Sequence, residues 1–165
     1  MLTAAQVYTS SKRFLDAYAA VMRPLSEAMN MAQTAVDILL FLANNPGLDT
    51  AKDICTYRQL KPGIVSFHVE KLVQEGYLAR RAVPGDRRKS RLICTEKAAP
   101  VIEQGRTLQN RFTERMIAGL EPAELETCLH CFTVFEQNLI EMAETAVLSI
   151  STRPESSETE RRKSK

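Results

Sequence analysis

Apolar residues recur at helical spacing along most of the chain, and one short central stretch changes to alternation. Val7, Phe14, Tyr18, Val21 and Leu25 form a stripe, widened by Leu15 and Met22, that predicts a helix over Thr3 to Met22. Arg23-Pro24 is expected to interrupt it, because proline disfavours helical geometry in the residue before it. Asn30-Met31-Ala32-Gln33 has the form of a capping box, so the next helix is expected to open at Asn30. Its inward side is Val36, Leu39, Leu40 and Ala43, and Asn44-Asn45-Pro46-Gly47 ends it. Thr50-Ala51-Lys52-Asp53 is a weaker box and opens a short helix carrying Ile54, Cys55 and Leu60. Arg58-Gln59-Leu60-Lys61 forms the turn out of it. Pro62 then stands where proline is favoured, at the first position of a helix running to about Glu75. Val65, Val69, Leu72 and Val73 face inward, and Gly76 is the stop.

Two strands follow, Tyr77 to Val83 and Lys89 to Thr95, with Leu78, Leu92 and Cys94 inward and the arginines outward. The turn between them contains Pro84-Gly85, a pair suited to tight reversal. Thr95-Glu96-Lys97-Ala98 begins a long helix with the stripe Val101, Ile102, Leu108, Phe112, Met116 and Ile117. Gly119 and Pro122 separate it from a last helix, Pro122 to about Leu148, whose stripe is Leu125, Leu129, Phe132, Leu139, Met142 and Ala146. The pattern predicts a mainly α fold with a small β-wing, a winged helix-turn-helix. The terminal helices offer more apolar face than so small a unit can cover, so they are expected to form a dimerisation region. The expected divisions are an N-terminal dimerisation helix (1–28), a winged helix-turn-helix (29–97), C-terminal dimerisation helices (98–150) and a disordered tail (151–165).

Charge changes the picture more than composition does. The chain has 165 residues, is 44% hydrophobic and 25% charged, and carries a net charge of only +2. Between Arg80 and Arg91, however, six basic residues stand against one acid, Asp86. Charge concentrated on one hairpin is the electrostatic footprint of nucleic-acid contact. There is no apolar run of about 18 residues to span a membrane. The start of the sequence lacks the pattern of a signal peptide, so a cytoplasmic protein with reduced thiols at Cys55, Cys94, Cys128 and Cys131 is expected.

In a helix-turn-helix the second helix enters the major groove. Off its apolar stripe lie Lys61, Gly63, Ile64, Ser66, Phe67 and Lys71. Ser66 suits a base edge or a phosphate, and Gly63 allows close approach. Ile64 and Phe67 suit apolar contact with a thymine methyl. Lys61, Lys71 and Arg58 suit phosphate contacts, which position without specifying sequence. Arg87, Arg88 and Lys89 form a narrow basic tip that fits the minor groove, with Asp86 orienting a neighbouring arginine. The expected partner is double-stranded DNA. A wing used only for protein–protein contact is the alternative, and it needs no charged tip.

Other chemistries fit less well. Cys128 and Cys131 are too few ligands for a closed zinc site, and buried thiols in a helix stripe describe them better. Cys94, beside the wing, is the thiol best placed for redox chemistry. No phosphate loop, His-Glu metal motif or Gly-x-Ser-x-Gly elbow is present, so neither an enzyme nor a cofactor is expected.

The order of elements and the residues Val65, Val69, Leu72, Gly76, Leu78, Asp86, Arg88, Leu92, Thr95, Glu96 and Lys97 resemble the MarR family of transcriptional regulators. The Asp-x-Arg wing and the apolar strand ending in Thr-Glu-Lys are the most specific part, and the likeness runs over about residues 4–148. It implies a homodimeric repressor on a pseudo-palindromic operator that releases DNA when a small phenolic or lipophilic effector binds. On this likeness Arg88 corresponds to the family's minor-groove arginine and Asp86 to its wing aspartate. Tyr8, Phe14, Tyr18 and Met29 are candidates to line an effector pocket, with ordinary core packing as the competing reading. Two departures stand out: Phe67 replaces the polar reader many members carry, and Ala98 replaces the usual glycine after Thr-Glu-Lys.

Overall fold

The computed structural model describes residues 1, 3–83 and 86–151, and of residues 83, 86–89 and 146–151 the backbone only. The chain divides into two compact units, Met1–Met116 and a second beginning at Ile117. Seven elements and a short 3-10 turn build the first: α1 (Ala4–Ala28), α2 (Gln33–Asn44), α3 (Ala51–Arg58), α4 (Pro62–Gln74), β1 (Leu78–Val83), β2 (Asp86–Cys94), the turn Glu96–Ala98 and α5 (Ala99–Met116). The described part of the second unit is the long helix α6 (Pro122–Ser151).

Helix α2 is the centre of the first unit. Ala35, Val36, Ile38, Leu39, Leu40, Phe41 and Leu42 are all buried, so this helix is apolar on nearly every side. Such a helix is stable only when enclosed. Helices α1, α4 and α5 and strand β2 all pack against it. Gly105 lets α5 come close: a Cβ there would lie 2.7 Å from a methyl of Leu40. Arg106 closes the far end of α2, donating from Nε to Asn44 Oδ1 (2.7 Å) and from Nη2 to the Ala43 carbonyl (2.6 Å). Gln109 donates to the Tyr18 hydroxyl (2.7 Å) and accepts from Asn44 Nδ2 (3.0 Å), so one side chain joins α1, α2 and α5.

The first helix runs through Pro24 rather than stopping before it. A proline inside a helix costs about 3 kcal/mol. Met22 and Leu25 on either side are almost fully buried, and each such burial returns roughly 1.5–3 kcal/mol, so packing outweighs the lost hydrogen bond. Asn30 does not open α2. It sits at φ +49° just after α1, where Met31 N–H donates to the Ser26 carbonyl (2.9 Å) and Asn30 N–H to the Glu27 carbonyl (3.1 Å). That is the Schellman closure of a helix C-terminus, and asparagine tolerates its left-handed geometry. The capping residue of α2 is Ala32, with no side-chain hydrogen bond. The same closure ends α4, with Gly76 at φ +77° and Tyr77 N–H donating to the Leu72 carbonyl (2.8 Å).

The box at Thr50 is present in full: its hydroxyl accepts from Asp53 N–H (3.2 Å) while the Asp53 carboxylate accepts from Thr50 N–H (2.9 Å). Pro62 stands at the start of α4 as expected, and Val65, Val69 and Leu72 are buried while Val73 is half-buried. Strand β2 begins at Asp86, three residues before the expected start, and α5 begins at Ala99 after the 3-10 turn rather than at Thr95. The hairpin is antiparallel, with Leu78 opposite Cys94. Its register jumps at the outer end, from Ser90 opposite Ala82 to Asp86 opposite Val83.

Removing one cap tests the local account. Thr50→Ala is expected to lower unfolding stability by about 1 kcal/mol, read as a lower urea midpoint with an unchanged slope. No change in midpoint would show that packing alone holds α3.

Candidate nucleic-acid interface

Helix α4 stands on the first unit with one face buried and the other in solvent. Lys61 caps it without a side-chain hydrogen bond, so its first N–H groups are not closed by the capping side chain. Gly63 has nothing within 4 Å of the position a Cβ would take, so the chain's own packing does not require a glycine there. Ile64 is 45% exposed and Phe67 65% exposed. Ser66 is exposed and lines a cleft of about 350 Å³ between α3, α4 and the hairpin, with Lys52, Cys55, Val69, Arg80 and Leu92. Phe67 meets His68 edge-to-face at 5.1 Å. Burial, and then the nearby Lys71 charge, lower the His68 pKa below its ordinary value. Its Nδ1 is buried with no hydrogen-bond partner among the described residues.

The hairpin is fastened to its surroundings at three places. Leu92 N–H donates to the Asp49 carbonyl in the α2–α3 loop (2.7 Å), and Arg91 lies 3.7 Å from the Asp49 carboxylate. Arg80 pairs with Glu70 of α4 at 2.8 Å. The Thr-Glu-Lys run closes the base: Thr95 donates its hydroxyl to the Gly76 carbonyl (2.7 Å), and Lys97 donates to the Glu75 carbonyl (2.7 Å) while lying 4.6 Å from the centre of the Tyr77 ring. These residues hold the end of α4 against the root of the hairpin. Exposed pairs of this kind contribute little stability each, but together they tie the hairpin to α4.

The expected site residues are therefore placed unevenly. Lys61, Gly63, Ile64, Ser66 and Phe67 share the outer part of α4. Lys71 is there too, 3.8 Å from Glu75. Arg58 departs from the group: it points to Asp37 of α2, 3.7 Å away. The side chains of Asp86, Arg87, Arg88 and Lys89 lie outside the described residues, and only their backbone, in β2, is defined. The charge count of the hairpin overstates its free charge, because Arg80 and Arg91 have acidic neighbours. Lys52, which lines the cleft with Ser66, and Tyr57, exposed on α3 and stacked on Phe41 at 6.2 Å, are outward residues of α3 that the apolar pattern did not single out. Their only sequence signal is a place off the buried side of α3.

The four candidate effector residues do not converge. Phe14 and Tyr18 both meet Phe112 of α5 edge-to-face, at 5.3 and 5.6 Å. Burial raises the Tyr18 hydroxyl pKa, against the hydrogen bond from Gln109. Tyr8 is 74% exposed and stands ten residues before Tyr18, about 15 Å along the helix. Met29 packs at the edge of the core. A second cleft, of about 590 Å³, is lined by Cys94, Thr95, Ile102, Glu103 and Arg106 among others. The Cys94 thiol there is pushed up by burial, which makes it a poorer nucleophile. Among the described residues no group of three or more His, Cys, Asp or Glu could hold a metal ion, and no helix is long and apolar enough to cross a membrane.

A family model described as MarR family matches residues 29–89. A MarR protein from Peptoclostridium difficile is 15% identical over 88% of this chain and 97% of its own, with a TM-score of 0.73. A MarR transcriptional regulator from Methanosarcina mazei Go1 is 16% identical, covering 82% and 97%, with a TM-score of 0.70. BpsR from Bordetella bronchiseptica, whose DNA binding is regulated by 6-hydroxynicotinic acid, is 19% identical, covering 79% and 98%, with a TM-score of 0.59. At these identities the likeness shows a shared fold.

Asp37 offers a test of its pairing with Arg58. Burial pushes its carboxyl above the ordinary aspartate range, although Arg58 and a hydrogen bond from Gln33 pull it back. An acid that binds its proton more tightly when folded stabilises the fold below its unfolded pKa of about 3.9, and that contribution is lost as pH rises through the raised value. In urea unfolding, the advantage of wild type over Asp37→Asn is therefore expected to be larger at about pH 4 than at about pH 7. A larger advantage at neutral pH would mean that the Arg58 pair dominates over burial.

Proposed function

We propose that the chain is a member of the MarR family, whose model matches its residues 29–89, and that it is a DNA-binding transcriptional regulator acting as a homodimeric, ligand-responsive repressor on a pseudo-palindromic operator. The observation that carries the reading is the outer face of α4, with Lys61, Gly63, Ile64, Ser66, Phe67 and Lys71 exposed on a helix-turn-helix whose other face is buried. A helix of this kind fits a major groove about 12 Å wide. The bonds from the hairpin to Asp49, Glu70 and the end of α4 support a wing held at a fixed angle. In this reading Arg87, Arg88 and Lys89 reach the minor groove, Arg88 is the specific contact, and Asp86 orients it.

The dimer is supported by α6. Leu129, Phe132, Phe135, Leu139, Ile140 and Met142 are all exposed on that helix, Phe132 by 68%. An apolar surface of that extent is suited to a partner, and a second copy sets two recognition helices one DNA turn apart. The effector is supported by the regulation of BpsR by 6-hydroxynicotinic acid, a small aromatic molecule. Phe14, Tyr18 and Phe112 are the aromatic group on the α1–α5 side best suited to such a ligand.

Two measurements test this function. Operator affinity is expected to fall steeply with salt, as phosphate neutralisation requires, and Arg88→Ala at fixed salt is expected to weaken binding by more than about 1 kcal/mol. A flat salt response would favour a wing used for protein contact, and an unchanged affinity would remove Arg88 from the interface. Sedimentation at micromolar concentration is expected to give twice the chain mass, and a single-chain mass would overturn the role of α6.

A further inference from the structure

We propose that Ile64 and Phe67 read the operator by recognising pyrimidine C5-methyl groups in the major groove, so that thymines rather than hydrogen-bonding edges set specificity on this helix. The inference rests on the DNA-binding reading above and adds what the helix recognises.

The first two turns of α4 are Pro62, Gly63, Ile64, Val65, Ser66, Phe67, His68 and Val69. Bidentate base contacts come from Arg, Lys, Asn and Gln, and acids accept from cytosine. None of these types occurs in the eight residues. His68 is half-buried and its Nδ1 is enclosed. Ser66 remains, but one hydroxyl donates or accepts and so pairs with either kind of base edge. A reader with this inventory cannot separate four base pairs by hydrogen bonds.

The apolar pair supplies the missing selectivity. Helical spacing sets Phe67 near the middle of the face opposite buried Val65, Val69 and Leu72, with Ile64 one turn before it and Lys71 one turn after. Gly63 stands beside Phe67 on the outer face with open space where a Cβ would be, so position 63 puts no side chain between the ring and a base pair. Lys61 and Lys71 are exposed around the pair. Apolar side chains framed by cations match a groove floor carrying methyl groups between two phosphate walls. The thymine C5-methyl is the apolar group that floor offers.

The test uses the full chain and duplexes enriched by it from a random pool. Thymines in the enriched half-sites are replaced one at a time by deoxyuridine, which removes only the methyl and keeps base pairing. At one or two positions per half-site the replacement is expected to weaken binding about four-fold, the worth of one buried methyl-sized group. Phe67→Ala is expected to bind the thymine and uracil duplexes alike, and Phe67→Leu to keep part of the difference. Both variants change an exposed side chain, so folding is not at issue. Equal binding of all uracil duplexes by the wild type, with a steep salt response retained, overturns methyl reading and leaves the DNA-binding function standing. A Phe67→Ala protein that still prefers thymine overturns the assignment to Phe67. Failure to enrich any duplex overturns both readings.

Discussion

The enclosure of α2 is the constraint on which the rest of this fold depends. A twelve-residue helix with seven buried side chains, Ala35 to Leu42 among them, cannot stand at a surface. The elements packed against it in the first unit act as cover: α1, α4, α5 and β2. Because Val65, Val69 and Leu72 are committed to the core, the opposite side of α4 must face outward. The same packing that stabilises the fold decides which residues of α4 are exposed.

The wing depends on a smaller set of polar contacts. A two-stranded hairpin is marginal by itself in water. Here it borrows a hydrogen bond from the Asp49 carbonyl, an ion pair from Glu70, and the closure of α4 by Thr95 and Lys97. The Thr-Glu-Lys run thereby gains a physical meaning. Two of its three side chains satisfy carbonyls left open where α4 ends. Arg106 does the same work at the end of α2 by donating to the Ala43 carbonyl, while Gln109 ties α5 to the Tyr18 hydroxyl of α1. Asp37 and Arg58 form a further polar joint, between α2 and α3.

Much of this was legible along the chain because helix periodicity and local caps are short-range properties. Leu72 and Gly76 announced the inward face and the end of α4, and Thr50 with Asp53 announced α3. The errors also have local causes. Asn30 carries the same residue type that caps helix starts and that tolerates left-handed geometry at helix ends, and only the burial of Met22 and Leu25 carries α1 past Pro24 to that end. The basic hairpin was counted by residue type, whereas two of its arginines have acids beside them that lie far away in sequence, at Glu70 and Asp49.

What the sequence determined by itself is the set of elements and the composition of the outer face of α4, including its unusual Phe67. These follow from spacing and residue chemistry within a few turns. Tertiary structure alone decided that Arg58 pairs with Asp37, that burial pushes the Cys94 thiol pKa up, and that Phe14 and Tyr18 both meet Phe112. Each of those outcomes depends on a partner more than a dozen residues away or on burial, and neither is encoded in a local pattern. Spacing can say which side of a helix is wet, but only packing can say what meets it there.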